Sequence, residues 1–197
     1  MPPERPARHI AVTRIVLLGP PASGKGTQGE LLARELDLPH VSTGELLRRS
    51  IEEDGDPRGV RDTVASGGLV PESIIEALTF PELGDRFILD GFPRSVDQAV
   101  RLDKFLVERG RPIQAAVELR LDQELLAARM ALRAGMEHRS DDRPDVFLKR
   151  LHDYEHDVRP LRDHYGPLLV RVDGSGEENE VFERILAGLR ALEASRG

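Results

Sequence analysis

The sequence predicts an α/β fold in which a parallel sheet is wound by alternating strands and helices. Two observations carry this. Short apolar runs alternate with segments of helical period, and the first such run ends in a glycine-rich loop that opens directly into a helix. Ile15-Val16-Leu17-Leu18 is apolar at every position, the pattern of a central strand covered on both faces. Leu31, Leu32 and Leu36 then recur at helical spacing. His40-Val41 is a very short strand before Ser42. Phe87-Ile88-Leu89, Ala115-Ala116-Val117-Glu118-Leu119 and Leu168-Leu169-Val170-Arg171-Val172 complete five strands.

Helices fill the intervals. Between residues 43 and 79 no strand is evident, and glycines at 55, 59, 67 and 68 divide the stretch into short helices, so it reads as a helical insertion between strands. Asp141 or Asp142 is placed to cap a helix with Pro144 in its first turn, where a missing N–H costs nothing. Phe147, Leu151, Tyr154, Val158, Leu161 and Tyr165 follow in steps of four and three, and Pro160 is expected to kink or split that helix. Val181, Phe182, Ile185, Leu186, Leu189 and Leu192 mark a terminal amphipathic helix.

The 197 residues suit one domain with one buried core. Residues 1–13, rich in Pro and Arg, read as a flexible leader, and 14–197 as a single domain. The absence of cysteine excludes a disulfide framework, a thiol nucleophile and Cys-ligated zinc. The net charge of −7 argues against a nucleic-acid partner. The longest apolar stretches fall well short of the about 18 residues a membrane span needs. A cytoplasmic setting is expected. The basic complement is lopsided: of 28 Lys and Arg residues only Lys25, Lys104 and Lys149 are lysine. Codon bias is the expected source of most of that imbalance.

The chemistry is concentrated in Gly19-Pro20-Pro21-Ala22-Ser23-Gly24-Lys25-Gly26-Thr27, which follows the first strand and opens the first helix. This is the P-loop context. Glycines let successive N–H groups turn inward around a phosphate, the helix N-terminus adds its positive end, and Lys25 reaches the β- and γ-phosphates. The hydroxyl stands at Thr27, one place later than in the generic pattern, so the usual Mg²⁺-binding hydroxyl cannot be assumed. A second segment, Asp90-Gly91-Phe92-Pro93-Arg94 with Gln98 four residues beyond, ends another strand. An aspartate there can hold the water shell of Mg²⁺, and an arginine can pair with phosphate. Ser42-Thr43-Gly44-Glu45-Leu46-Leu47-Arg48 and Gly67-Gly68-Leu69-Val70-Pro71 complete the set.

On these four motifs, in order and in register from Arg14 to about Leu192, the sequence resembles the adenylate kinases. The resemblance implies a P-loop NTPase fold with a five-stranded parallel sheet, a helical AMP-binding insertion over about 42–72 and a lid over about 134–142. It implies that Gly19, Ala22, Ser23, Gly24, Lys25, Gly26 and Thr27 bind ATP together with Arg129, Arg133 and Gly174. Thr43, Gly44, Arg48, Leu69, Val70, Gly91, Arg94, Gln98, Arg139 and Arg150 line the AMP site, with Gln98 on the adenine. Lys25, Asp90, Arg94, Arg129, Arg139 and Arg150 carry catalysis. Mg²⁺ enters with ATP and is held by Asp90 through water rather than by a tight set of protein ligands. Only five residues separate Arg133 from Arg139, so the lid is of the short form and no structural zinc is expected. ATP, AMP and ADP are the expected partners of a monomer, with no nucleic acid and no membrane.

Two positions depart from the family pattern or add to it. Ala22 stands where glycine is usual, so either its φ is negative or the loop is slightly reshaped. The Ser23 hydroxyl is read as facing solvent rather than phosphate. Thr43 with Gln98 favours AMP over UMP or CMP, because a polar group matched to one base rejects others. A non-catalytic nucleotide sensor is disfavoured because Lys25, Asp90 and Arg94 are all present. A nucleic-acid module with NTPase activity is disfavoured by charge and by the shortage of aromatic platforms.

Overall fold

The strands β1 (Arg14–Leu18), β2 (His40–Ser42), β3 (Phe87–Asp90), β4 (Ala115–Arg120) and β5 (Leu169–Asp173) form one all-parallel sheet in the order β2-β3-β1-β4-β5. The computed structural model describes residues 10–53, 55–56, 59–65, 68, 70–137 and 143–196. The period of two along each strand divides the core between the two faces. Ile15 and Leu17 of β1 join Ile88, Val117 and Leu119 under α1 (Lys25–Leu36) and α8 (Glu178–Ala194), which contribute Leu32, Ile185, Leu186 and Leu189. Val16 and Leu18 face the other way. They meet Phe87, Leu89 and Ala116 under α5 (Val96–Val107) and α7 (Pro144–Tyr165), which supply Leu102, Leu106, Leu161 and Tyr165. Burial on both faces is why these strands are apolar at nearly every position.

The described residues between 43 and 79 carry three short helices and no strand, as expected: α2 (Thr43–Glu53), α3 (Arg61–Ala65) and α4 (Glu72–Thr79). It gathers a small core of its own from Leu47, Ile51 and Val60, with Val64, Val70, Ile74 and Leu78 packed around it. Ile75 touches both this cluster and the sheet core. The remaining helix, α6 (Gln123–Glu137), lies with the start of α7 over a fourth cluster of Leu126, Met130, Phe147 and Leu151.

The structure corrects several local expectations. The residue capping α7 is Arg143, in extended conformation, with Pro144 at the first helical position. A residue before proline is driven out of the helical region and so takes the cap, while Asp141 and Asp142 lie outside the described residues. Pro160 does not split α7, which runs unbroken for 22 residues. Val158, Leu161 and Tyr165 are buried on either side of it, and their packing outweighs the one hydrogen bond the ring removes. Leu168 closes a 3₁₀ turn, so β5 starts one residue later than read. Residues 10–13, assigned to a flexible leader, are docked: Val12 is buried, Ala11 and Val12 donate N–H groups to the Glu193 carboxylate, and Thr13 donates to Gln114.

Candidate active site

The strand order sets the location. The chain leaves β1 to build β2 and β3 on one side and later β4 and β5 on the other, so the loops at the carboxyl ends of β1, β3 and β4 part around a crevice. The loop 19–24, Thr43, the segment 91–94 and the turn 174–176 all stand along this one edge.

The loop after β1 is shaped around backbone N–H groups. Gly24 caps α1 with a left-handed φ of 92°, and no side chain caps that helix end among the described residues. The first intrahelical bond runs from Gln28 N–H to Gly24 O at 2.9 Å. The N–H groups of Lys25, Gly26 and Thr27 therefore point at the loop's interior, where an anion is favoured by both hydrogen bonding and the helix dipole. The Lys25 ammonium folds over the same space, donating to Gly19 O and Pro20 O at 2.9 Å each and to Ser23 Oγ at 3.4 Å. Ser23 does not face solvent. It is 1% exposed, because its N–H closes a turn onto Pro20 O at 3.2 Å and carries the side chain beneath Gly19. Ala22 takes φ 63°, a left-handed conformation that costs a non-glycine residue about 1–2 kcal/mol. Its methyl packs on the Leu126, Met130, Phe147 and Leu151 cluster. Thr27 is exposed.

On the adjoining strand, Asp90 ends β3 in register with Leu17 of β1. Its Oδ2 lies 4.0 Å from the point where a Cβ would stand on Gly26, and its Oδ1 is buried with no hydrogen-bond partner among the described residues. Thr43, itself buried, donates its hydroxyl to Asp90 O at 3.2 Å. Gly91 follows at φ 85°, and a Cβ there would stand 2.4 Å from the Thr43 hydroxyl, so glycine is required by both backbone and space. Arg94 is exposed and folds its Nε onto Gly91 O at 2.9 Å. Ser95 caps α5 by accepting the Gln98 N–H at 3.3 Å, and the Gln98 Oε1 accepts the Arg94 N–H at 2.7 Å. Arg48 folds back toward Gly44 in the first turn of α2.

A third side of the edge is closed by Arg129 of α6. Its guanidinium donates to Ser23 O at 3.3 Å and to Gly174 O at 2.9 Å, bridging the loop after β1 to the turn after β5. Gly174 is tied in turn to Arg120 O. Val70 packs in the small helical core and Arg150 is half-buried on α7. The Arg133 side chain, Arg139 and Leu69 lie outside the described residues.

Comparison with known proteins bears directly on this edge. The family model described as adenylate kinase matches residues 17–168, a span that includes the loop, Thr43, Asp90, Gln98 and Arg129. The chain is 41% identical over 186 residues to the adenylate kinase of Stenotrophomonas maltophilia, covering 90% of this chain and 100% of that protein. It is 43% identical to that of Mycobacterium tuberculosis and 44% identical to that of Xanthomonas axonopodis pv. citri, each over 89% of this chain and 98% of the relative. The chain belongs to the adenylate kinase family. It is a phosphotransferase with the α/β P-loop architecture of that family.

Within this adenylate kinase family member, two charged networks escaped the sequence reading. Glu118 on β4 is fully buried, yet holds Arg162 through Nε at 2.9 Å, Tyr154 Oη at 3.1 Å and Arg171 Nε at 3.4 Å. Hydrogen bonding to Glu118 raises the Arg162 pKa further, while burial and then the Glu118 charge push the Tyr154 phenol well above its ordinary range. A lone acid inside an otherwise apolar strand was the available signal. The second network joins Gln98, Glu72, Arg101 and Glu76 across α4 and α5. Nearby, hydrogen bonds from Ser175 hold the exposed Asp173 carboxyl below the usual carboxylate range.

Proposed function

We propose that this chain transfers the γ-phosphoryl group of ATP to AMP, giving two ADP, with Mg²⁺ entering on ATP. The observation that supports this best is the meeting of two features at one crevice: the N–H-lined, anion-binding loop with Lys25 at the end of β1, and the segment at the end of the neighbouring β3 that sets the Asp90 carboxylate beside the Arg94 guanidinium across Gly91. An acceptor phosphate is already an anion, so no general base is required, and catalysis reduces to alignment and charge stabilisation.

Lys25 would exchange its two carbonyl partners for the β- and γ-phosphate oxygens, where its compact charge compensates the charge spread in transit. Arg129 would lie along the ATP side, and Arg94, with Arg48, Arg139 and Arg150, would converge on the acceptor phosphate. The Asp90 carboxylate, with its Oδ2 beside Gly26 and its buried Oδ1 unpartnered among the described residues, fits a hydrated divalent cation brought by the nucleotide, since a carboxylate oxygen there can accept from the cation's water. When bound, Mg²⁺ neutralises phosphate charge. Gln98 would take the adenine edge of AMP, with Thr43, Leu69 and Val70 beside it. Closure of the segments near 43–72 and 134–142 would exclude water, without which ATP would be hydrolysed. The role fits a monomer in the cytoplasm that balances adenine nucleotides.

A coupled assay of the purified protein with ATP and Mg²⁺ against AMP, dAMP, CMP, UMP and GMP tests this. The expected result is turnover highest with AMP and lost on chelation of Mg²⁺. Preference for CMP or UMP overturns the substrate assignment, and ATP binding without turnover of any acceptor overturns the reaction.

A further inference from the structure

The Gln98 carboxamide is held at both ends. Its Oε1 accepts the Arg94 backbone N–H at 2.7 Å and its Nε2 donates to Glu72 Oε1 at 3.3 Å. The two partners have fixed and opposite characters: a backbone N–H can only donate, and a carboxylate can only accept. A carboxamide is nearly symmetric in shape, so shape alone does not set its orientation. Rotation by half a turn would set Oε1 against the Glu72 carboxylate and Nε2 against an N–H, which costs both bonds and adds two repulsions.

Glu72 is itself anchored. Its Oε2 is paired with Arg101, and Arg101 Nε is paired with Glu76. Glu72 and Glu76 share one face of α4 at a spacing of four, and Gln98 and Arg101 share one face of α5 at a spacing of three. The Arg101 pKa is raised, chiefly by its bond to Glu76. These side chains are partly exposed, and ion pairs in such surroundings add little to stability. Their geometric effect is the larger one, because they fix where the carboxylate stands.

We infer that Glu72, positioned by Arg101, is a specificity-determining residue that locks the polarity of the Gln98 carboxamide for a 6-aminopurine. With its first contacts committed, the carboxamide retains one N–H and one lone pair of set order. Adenine offers the complementary acceptor beside an amino donor, whereas a 6-oxopurine presents the reversed pair and requires the rotated amide. The inference rests on the reading that Gln98 faces the base of the acceptor nucleotide.

The test measures kcat/KM for AMP and for IMP, with KM for ATP and the thermal unfolding midpoint, in the full chain carrying Glu72→Gln, Arg101→Leu or Gln98→Ala. Glu72→Gln keeps the size of the side chain but can present a donor as readily as an acceptor. It is expected to lower the AMP-to-IMP ratio at least tenfold, through KM for the acceptor, with KM for ATP and the unfolding midpoint unchanged. Arg101→Leu is expected to lower the ratio about threefold. An AMP-to-IMP ratio within twofold of the parent in Glu72→Gln, while Gln98→Ala collapses it, overturns the role of Glu72. A ratio that Gln98→Ala also leaves intact overturns the base-reading assignment of Gln98 instead.

Discussion

The sheet body and the helical stretch from 43 to 79 are built on very different cores. In the body, both faces of the sheet are covered, and Ile15, Val16, Ile88, Leu89, Ala115, Ala116 and Val117 have no exposed surface at all. The small helical core has, among the described residues, three buried members, Leu47, Ile51 and Val60, each retaining a little exposure. It is joined to the body by Ile75, which touches both cores, by Leu46, which packs on the sheet core, and by polar ties: the Thr43 hydroxyl on Asp90 O, and the Glu72, Glu76, Gln98 and Arg101 network. The contrast teaches where precision and where movement are supplied. The phosphate loop stands on the most deeply buried part of the molecule, while the proposed acceptor site stands on a module with a small core, which is expected to open locally more readily than the sheet.

The sharpest way to probe the rigid side is Lys25→Met. It removes the charge at the phosphate loop while the strands around it stay packed, so kcat is expected to fall about 10²–10³-fold with the unfolding midpoint unchanged. A loss below tenfold, measured in the coupled assay, would remove Lys25 from the reaction. On the soft side, Ile51→Ala takes a branched side chain from a three-residue core, at a cost of about 2–4 kcal/mol. Hydrogen exchange of amides in α2 and α4 is expected to accelerate roughly 30-fold or more, at about 1.4 kcal/mol per tenfold, while amides of β1 and β4 keep their protection. Equal acceleration in both regions would mean that the two fold as one unit, and the contrast would fail.

Ala22→Gly has a smaller expected effect, because opposing contributions nearly cancel. Glycine relieves the left-handed backbone by about 1–2 kcal/mol. It also loses a methyl packed on the α6–α7 cluster, about 0.8 kcal/mol, and gains unfolded-state freedom of about 0.5–1 kcal/mol. Turnover is expected to change less than tenfold, and a larger gain would show a loop under serious strain. The smallest effect concerns a reporter. Both tyrosines, Tyr154 and Tyr165, lie on α7 of the body, and burial pushes both phenols above their ordinary range. In the unfolded chain they ionise near pH 10. The folded state keeps its protons there, so their contribution to stability is complete below pH about 10 and declines as pH rises beyond it. An absorbance titration is expected to show no tyrosinate at pH 10.5 until the body unfolds. Early ionisation of either phenol contradicts its burial.

The fold and the phosphate loop were legible because their determinants are contiguous. A strand covered on both faces must be apolar throughout, and a loop that wraps phosphate must spend its glycines within a few residues of a helix start. What was not legible depends on distant partners. Glu118 is fixed by Arg162, 44 residues away, and Glu72 by Arg101, 29 residues away, with nothing in either neighbourhood announcing the match. Ser23 was misread for a related reason. A hydroxyl in a polar loop suggests exposure, but a single turn closed on Pro20 reverses its direction. Val12 is not legible because the three-residue run Ile10-Ala11-Val12 beside a charged leader is too short to show a period, and its cover comes from the far end of the chain.

That last contact has an engineering consequence. Ala11 and Val12 meet Glu193 while Arg196 reaches Gln114 O, all at the edge of the sheet where β1 and β4 begin. The proposed nucleotide crevice occupies the opposite edge. A short peptide could therefore join residues 11 and 196, and the chain could be cut anew at an exposed turn such as Gly110, without disturbing the order of the strands around the phosphate loop.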